Sequence, residues 1–215
     1  MAILSDAEYV RVVDKFLSHW AQVNAVLGAS PLVLKADYTI VNLKTDRDAL
    51  EATLTALVSA NNNQQMARAQ RSAKQKLQSA RLKQFRNAVL GKLDGTDIAA
   101  ALPLIPSPSA PPETWIQVLE DMENLWERVN TAPPAGFTAP LVLPIGYTQA
   151  NFTTDITGLK ATYTALAGAE NAAKSTRESR TKQAKALRAR LIAYRKAAVG
   201  SLPTGHALLA SLPGL

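Results

Sequence analysis

Apolar positions Tyr9, Val13, Phe16, Trp20, Val23 and Leu27 fall alternately four and three residues apart. That spacing keeps one stripe on the same side of a helix and predicts an amphipathic helix over 6–27. Trp115, Leu119, Met122, Trp126 and Val129 repeat the pattern and predict a second such helix over 113–130. Ser5 with Glu8 three residues on supplies a capping box for the first, and Pro111-Pro112 suits the start of the second.

A different pattern fills 46–90 and 155–199. Both stretches lack proline, are rich in Ala, Leu, Gln, Lys and Arg, and predict one very long helix each. Thr45 with Asp48 reads as the N-terminal cap of the first, and Gly91 and Gly200 stand where left-handed C-terminal caps belong. Their stripes are apolar only at the ends: Leu50, Leu54 and Leu57, then Leu82, Phe85 and Val89, matched by Leu159, Tyr163 and Leu166, then Leu187, Leu191 and Tyr194. Between those ends the seam turns small or polar, and Arg71 and Arg180 fall on or beside it. A helix that loses its stripe for several turns must stand in water or meet a polar partner. A hairpin broken near Asn61–Asn63 and near Gly168 is the alternative to an unbroken helix; residues 170–174 carry no turn chemistry and favour the unbroken form. Between short and long helices, 28–44 and 133–153 each hold Pro-Leu-Val-Leu followed by Tyr-Thr, which reads as an apolar strap packed across helices.

The chain also repeats itself. Residues 37–93 align on 146–202 at a constant offset of 109 without a gap, with 23 identities in 57 positions. Upstream, Trp20 and Val23-Asn24 pair with Trp126 and Val129-Asn130 at an offset of 106. Internal self-similarity governs any reading of architecture. The expectation is therefore all-α: tandem duplicated helical units, 1–106 and 107–215, each a short amphipathic helix, an extended apolar strap and one long coiled-coil-like helix. Residues 103–112 hold five prolines and form a semi-rigid connection between them. Trp20, Trp126, Phe85 and Tyr194 are expected in the packing.

Charge sharpens this picture. The chain has 215 residues and a net charge of +7. Residues 61–93 carry eight basic groups and no acid, while 170–202 carry nine basic groups against Glu170 and Glu178. The acids concentrate on the short helices: Asp6, Glu8, Asp14, Glu113, Glu120, Asp121 and Glu123. Arg68, Arg71, Arg81 and Arg86 align with Arg177, Arg180, Arg190 and Arg195, and these eight are the expected interaction residues, either for charge pairing or for phosphate. Spacing of three puts Arg68 with Arg71, and Arg177 with Arg180, on one face, where a carboxylate on a partner helix suits them.

Catalytic chemistry is not legible. No cysteine is present, which excludes disulfides, thiolate metal sites and thiol nucleophiles. The two histidines, His19 and His206, align with Leu125 and Asp97, so neither belongs to the repeated pattern, and His19 is expected at a surface or boundary. No cofactor, metal or small-molecule substrate is expected. The N-terminus lacks a signal-peptide pattern and no apolar run approaches a membrane span, so the expected location is the cytoplasm or a particle made inside the cell. The expected role is that of a non-enzymatic structural protein that assembles with copies of itself into an oligomer, filament or lattice through helical and charge-complementary contacts. The alternative is sequence-nonspecific nucleic-acid binding by the basic helices.

Overall fold

A computed structural model describes residues 6–215; Ser5 of the expected capping box lies outside the described residues. The chain is mostly helical. Helix α1 spans Asp6–Leu27, α2 Ile40–Leu93, α3 Asp97–Ala100, α4 Pro112–Thr131, α5 Gln149–Ser201 and α6 Ala207–Ala210. The two long helices are unbroken, with 54 and 53 residues.

Both long helices start about two turns earlier than Thr45 suggests. Their caps are Thr39-x-x-Asn42 and Thr148-x-x-Asn151. Asn42 Oδ1 accepts the Thr39 backbone N–H and hydroxyl, each at 2.8 Å, and Asn151 Oδ1 does the same for Thr148 at 2.9 and 2.8 Å. Asn at the third helical position thus serves as the reaching-back member of a capping box. Thr45 lies inside α2, where its hydroxyl donates to the Val41 carbonyl. Gly91 and Gly200 are likewise helical rather than caps, and the left-handed glycines that follow these two helices are Gly95 (φ +77) and Gly205 (φ +85). Leu93, the last residue of α2, and Leu202, directly after α5, are only 3% and 5% exposed and explain the added residues, because continuing each helix brings that apolar side chain to the core.

The straps pack as apolar segments. Leu32, Leu34 and Tyr38 are buried in the first, and Leu141 and Leu143 in the second. Each closes on itself through one antiparallel bridge, Leu34 with Tyr38 and Leu143 with Tyr147. Each is pinned to the preceding short helix by an asparagine: Asn24 Oδ1 accepts Leu32 N–H at 2.9 Å, and Asn130 Oδ1 accepts Leu141 N–H at 2.8 Å.

Two compact units result. One unit is Met1–Asn62 with Ala172–Leu215; the other is Asn63–Asn171. In the first, the α1 stripe (Val13, Phe16, Trp20) and the strap bury the C-terminal part of α5 (Leu191, Tyr194, Ala198). In the second, the α4 stripe (Leu119, Met122, Trp126) and its strap bury the C-terminal part of α2 (Leu82, Phe85, Val89). Each short helix is thus covered by the end of the other sequence copy's long helix. The physical reason lies in helix continuity. About nine turns of unbroken helix separate Leu50 from Leu82, so the far stripe of α2 cannot fold back onto α1, which has about six.

Candidate functional site

The same junction is built in each unit from an arginine of one sequence copy and a tyrosine of the other. In the first unit the Arg190 guanidinium lies 4.4 Å from the Tyr38 ring centroid, and the Tyr38 hydroxyl donates to Asp46 Oδ2 at 2.6 Å. In the second, Arg81 lies 4.0 Å over Tyr147, whose hydroxyl donates to Asp155 Oδ2 at 2.7 Å. A guanidinium on an aromatic face is attracted by the ring quadrupole, more strongly as the pair loses water. Burial, then the hydrogen bond and charge of the carboxylate, push both hydroxyls well above the usual tyrosine range, with the arginines acting in the opposite direction. These phenols therefore stay protonated as donors, which suits a structural lock rather than a nucleophile or base.

Next to each junction stands a tryptophan. Trp20 stacks on Tyr194 with centroids 4.6 Å apart, and Trp126 packs on Phe85 at 5.0 Å. All four are at most 2% exposed. The two tryptophans differ in what their indole N–H meets. Trp126 Nε1 donates to the Leu141 carbonyl at 2.9 Å, while Trp20 Nε1 is buried without a partner among the described residues.

Polar contacts occupy the stretch where the apolar stripe lapses. Arg68 Nη2 meets Glu170 Oε1 at 2.9 Å, and Gln75 Nε2 donates to the Tyr163 hydroxyl at 2.7 Å. In the first unit Arg177 Nη2 donates to Asn61 Oδ1 at 2.7 Å. Asn61 aligns with Glu170, so one contact is a salt bridge and its counterpart a neutral hydrogen bond. The acid that Arg68 meets belongs to the long helix α5, not to a short acidic helix. Charge pairing between short and long helices does occur, but through Arg47 with Asp14 at 2.9 Å and Lys160 with Glu120 at 2.7 Å. Gln78 is fully buried, and neither amide atom has a partner among the described residues.

The remaining nominated arginines scatter. Arg86 Nη1 donates to the Leu102 and Pro103 carbonyls at 3.3 and 2.6 Å. Arg71 is half-buried, its Nε without a hydrogen-bond partner among the described residues, and Arg180 and Arg195 are half-buried. His19 corrects the expectation of a surface residue. It is 5% exposed, with Nδ1 2.6 Å from the Tyr194 hydroxyl and Nε2 2.8 Å from the Leu208 carbonyl. The carbonyl can only accept, so Nε2 carries the proton and Nδ1 receives the tyrosine's. His19 thereby ties α6 to α1.

Sequence reasoning missed Gln75, Gln78, Tyr163 and Glu170. The available signal was the alignment: Gln75 and Gln78 stand opposite Ala184 and Leu187, and Tyr163 opposite Leu54. Among the described residues no three His, Asp or Glu side chains gather as a metal site, and no helix is long and apolar enough to cross a membrane. No protein-family model matches the chain, and comparisons with curated proteins and with solved structures return no match.

Proposed function

We propose that this is a non-enzymatic structural protein, built as two near-equivalent helical modules in tandem, that assembles with other molecules of itself into an oligomer, filament or lattice. The long helices pair within each unit in a coiled-coil-like manner. The observation that carries the reading is that neither sequence copy completes a core alone: the stripe of α1 is covered by α5, and that of α4 by α2. A module whose apolar face is made to receive another copy's helix end is a self-association element by construction. Apolar side chains left outside the finished cores, among them Met66 at 57% exposure and Ile145 at 101%, add contact area for association. Such contacts join unlike surfaces and propagate unless a rotation closes them.

The phosphate reading loses ground because Arg68, Arg81, Arg86, Arg177 and Arg190 are engaged inside the chain. Static light scattering and electron microscopy across a concentration series test the proposal. Growth of mass with concentration is expected; a monodisperse monomer at every concentration defeats it. Duplex binding compared at about 50 and 200 mM salt tests phosphate contacts separately, because neutralised phosphates make affinity fall steeply with salt.

A further inference from the structure

We infer that the chain exchanges halves between molecules: residues before the connection from α3 to α4 (residues 101–111) complete their cores with residues after that connection from a second molecule of the same chain. This rests on the assembly reading above and supplies its mechanism.

The argument starts from where the contacts fall. In the first unit, Tyr9 donates to the Ala184 carbonyl at 2.9 Å, His19 meets Tyr194, Arg177 meets Asn61 and Arg190 covers Tyr38. In the second, Arg68 meets Glu170, Gln75 meets Tyr163, Arg81 covers Tyr147 and Phe85 packs on Trp126. Every one of these joins a residue before the connection to a residue after it. None requires the two residues to share a chain. A complex of one molecule's first copy with another's second copy would keep all of them, together with both apolar cores.

Only the connection distinguishes the closed form from the exchanged one. Its proline content stiffens it, and Leu104 at its centre is 83% exposed. Two anchors hold it in the closed form. Arg86, near the end of α2, binds the Leu102 and Pro103 carbonyls, and Trp115 Nε1 of α4 donates to the Ser107 carbonyl at 3.1 Å. Ile105 between them packs against the second unit's core. Exchange parts the end of α2 from its own α4, so it loosens these contacts and leaves the rest in place. Linked copies face each other at an effective concentration on the order of millimolar, so the closed chain dominates in dilute solution. Parting the copies means opening both cores, so native molecules exchange on the timescale of unfolding, and chains folding together at high concentration exchange freely. Exchange need not be reciprocal: a first copy taken by one neighbour and a second by another gives an open series.

The test uses the full chain with a site-specific protease sequence inserted after Pro108, an exposed position in the connection. Isotopically heavy and light protein are unfolded, mixed and refolded at high concentration, and the dimer is isolated. Cutting the connection should halve the dimer's mass, and native mass spectrometry should find heavy first copies bound to light second copies. A second arm, co-expressing tagged and untagged chains, gives the same readout without refolding. Trp115→Phe removes one anchor bond of about 1 kcal/mol from each closed chain, about fivefold per bond, and since a dimer draws on two chains its fraction should rise roughly 25-fold while it is the minor species. A dimer that keeps its mass after cutting, with the two pieces of each chain still together, overturns exchange and leaves self-assembly standing. Absence of any dimer or larger species in both arms overturns exchange and assembly together.

Discussion

Replacing Gln78 with leucine should make the protein more stable. Gln78 is fully buried on α2 and both ends of its amide lack a partner among the described residues. Its neighbours on the same helix face are better served: Gln75 reaches Tyr163, and Arg81 lies over Tyr147. At the aligned position of the other sequence copy stands Leu187, 1% exposed. An unpartnered buried amide costs about 1–3 kcal/mol, and apolar surface in its place recovers roughly 1 kcal/mol or more. Less about 1 kcal/mol for imperfect shape, the expected gain is about 1–3 kcal/mol. For a chain of this size that is a rise of roughly 2–4 °C in melting temperature per kcal/mol. Gln78→Met, unbranched like glutamine, separates polarity from shape. The reverse change, Leu187→Gln, should cost about 3–5 kcal/mol, since it loses apolar burial and creates the same orphan. Urea unfolding followed by circular dichroism gives both values, and an unchanged m-value would place the effect in stability itself. Tryptophan emission adds location, because Trp20 reports on the first unit while Trp115 and Trp126 report on the second. If neither Gln78→Leu nor Gln78→Met stabilises, the amide is not an energetic defect and the reasoning is wrong.

Further outcomes can be checked with the same equipment. Trp126→Phe should cost about 1–2 kcal/mol more than Trp20→Phe, because of these two Trp126 alone donates its indole N–H to a carbonyl among the described residues; equal losses in urea would contradict this. Burial raises the hydroxyl pKa of Tyr38, Tyr147 and Tyr194 above the ordinary tyrosine value of 10.0, aided at Tyr38 and Tyr147 by a carboxylate. The unfolded chain therefore releases these protons first as pH rises. Their stabilisation is intact below pH 10.0 and is lost progressively above it, and ultraviolet titration should show phenolate appearing together with unfolding. The Arg68 hydrogen bond holds the Glu170 carboxyl below its usual 4.5, so this pair contributes in full above that pH and fades as pH falls further. With side-chain exposures of 55% and 44%, solvent screening keeps the pair's worth at the level of exposed ion pairs, about 0–1 kcal/mol. Arg68→Glu should therefore cost little, and Glu170→Arg in the same chain should restore the loss; rescue from an acid on α4 instead would misplace the partner.

Hydropathy spacing along the chain was enough to identify the short helices, the long proline-free helices, the apolar straps and the tryptophans in their stripes, because each rests on local periodicity. Helix ends were less legible. Thr45 and Gly91 carry the usual cap chemistry, yet Asn42 reaching back to Thr39 and the burial of Leu93 extend α2 in both directions. Burial of His19 could not be read either, since its two partners, Tyr194 and Leu208, are 175 and 189 residues away. Pairing was decided only by tertiary structure. The aligned stripes of α2 and α5 are close alternatives for either short helix, so local pattern cannot choose between them. Unbroken helix geometry does choose, by keeping each far stripe from returning to its own start. The same pairing gives two arginines a place that charge alone could not: Arg81 and Arg190 cover tyrosines of the opposite copy.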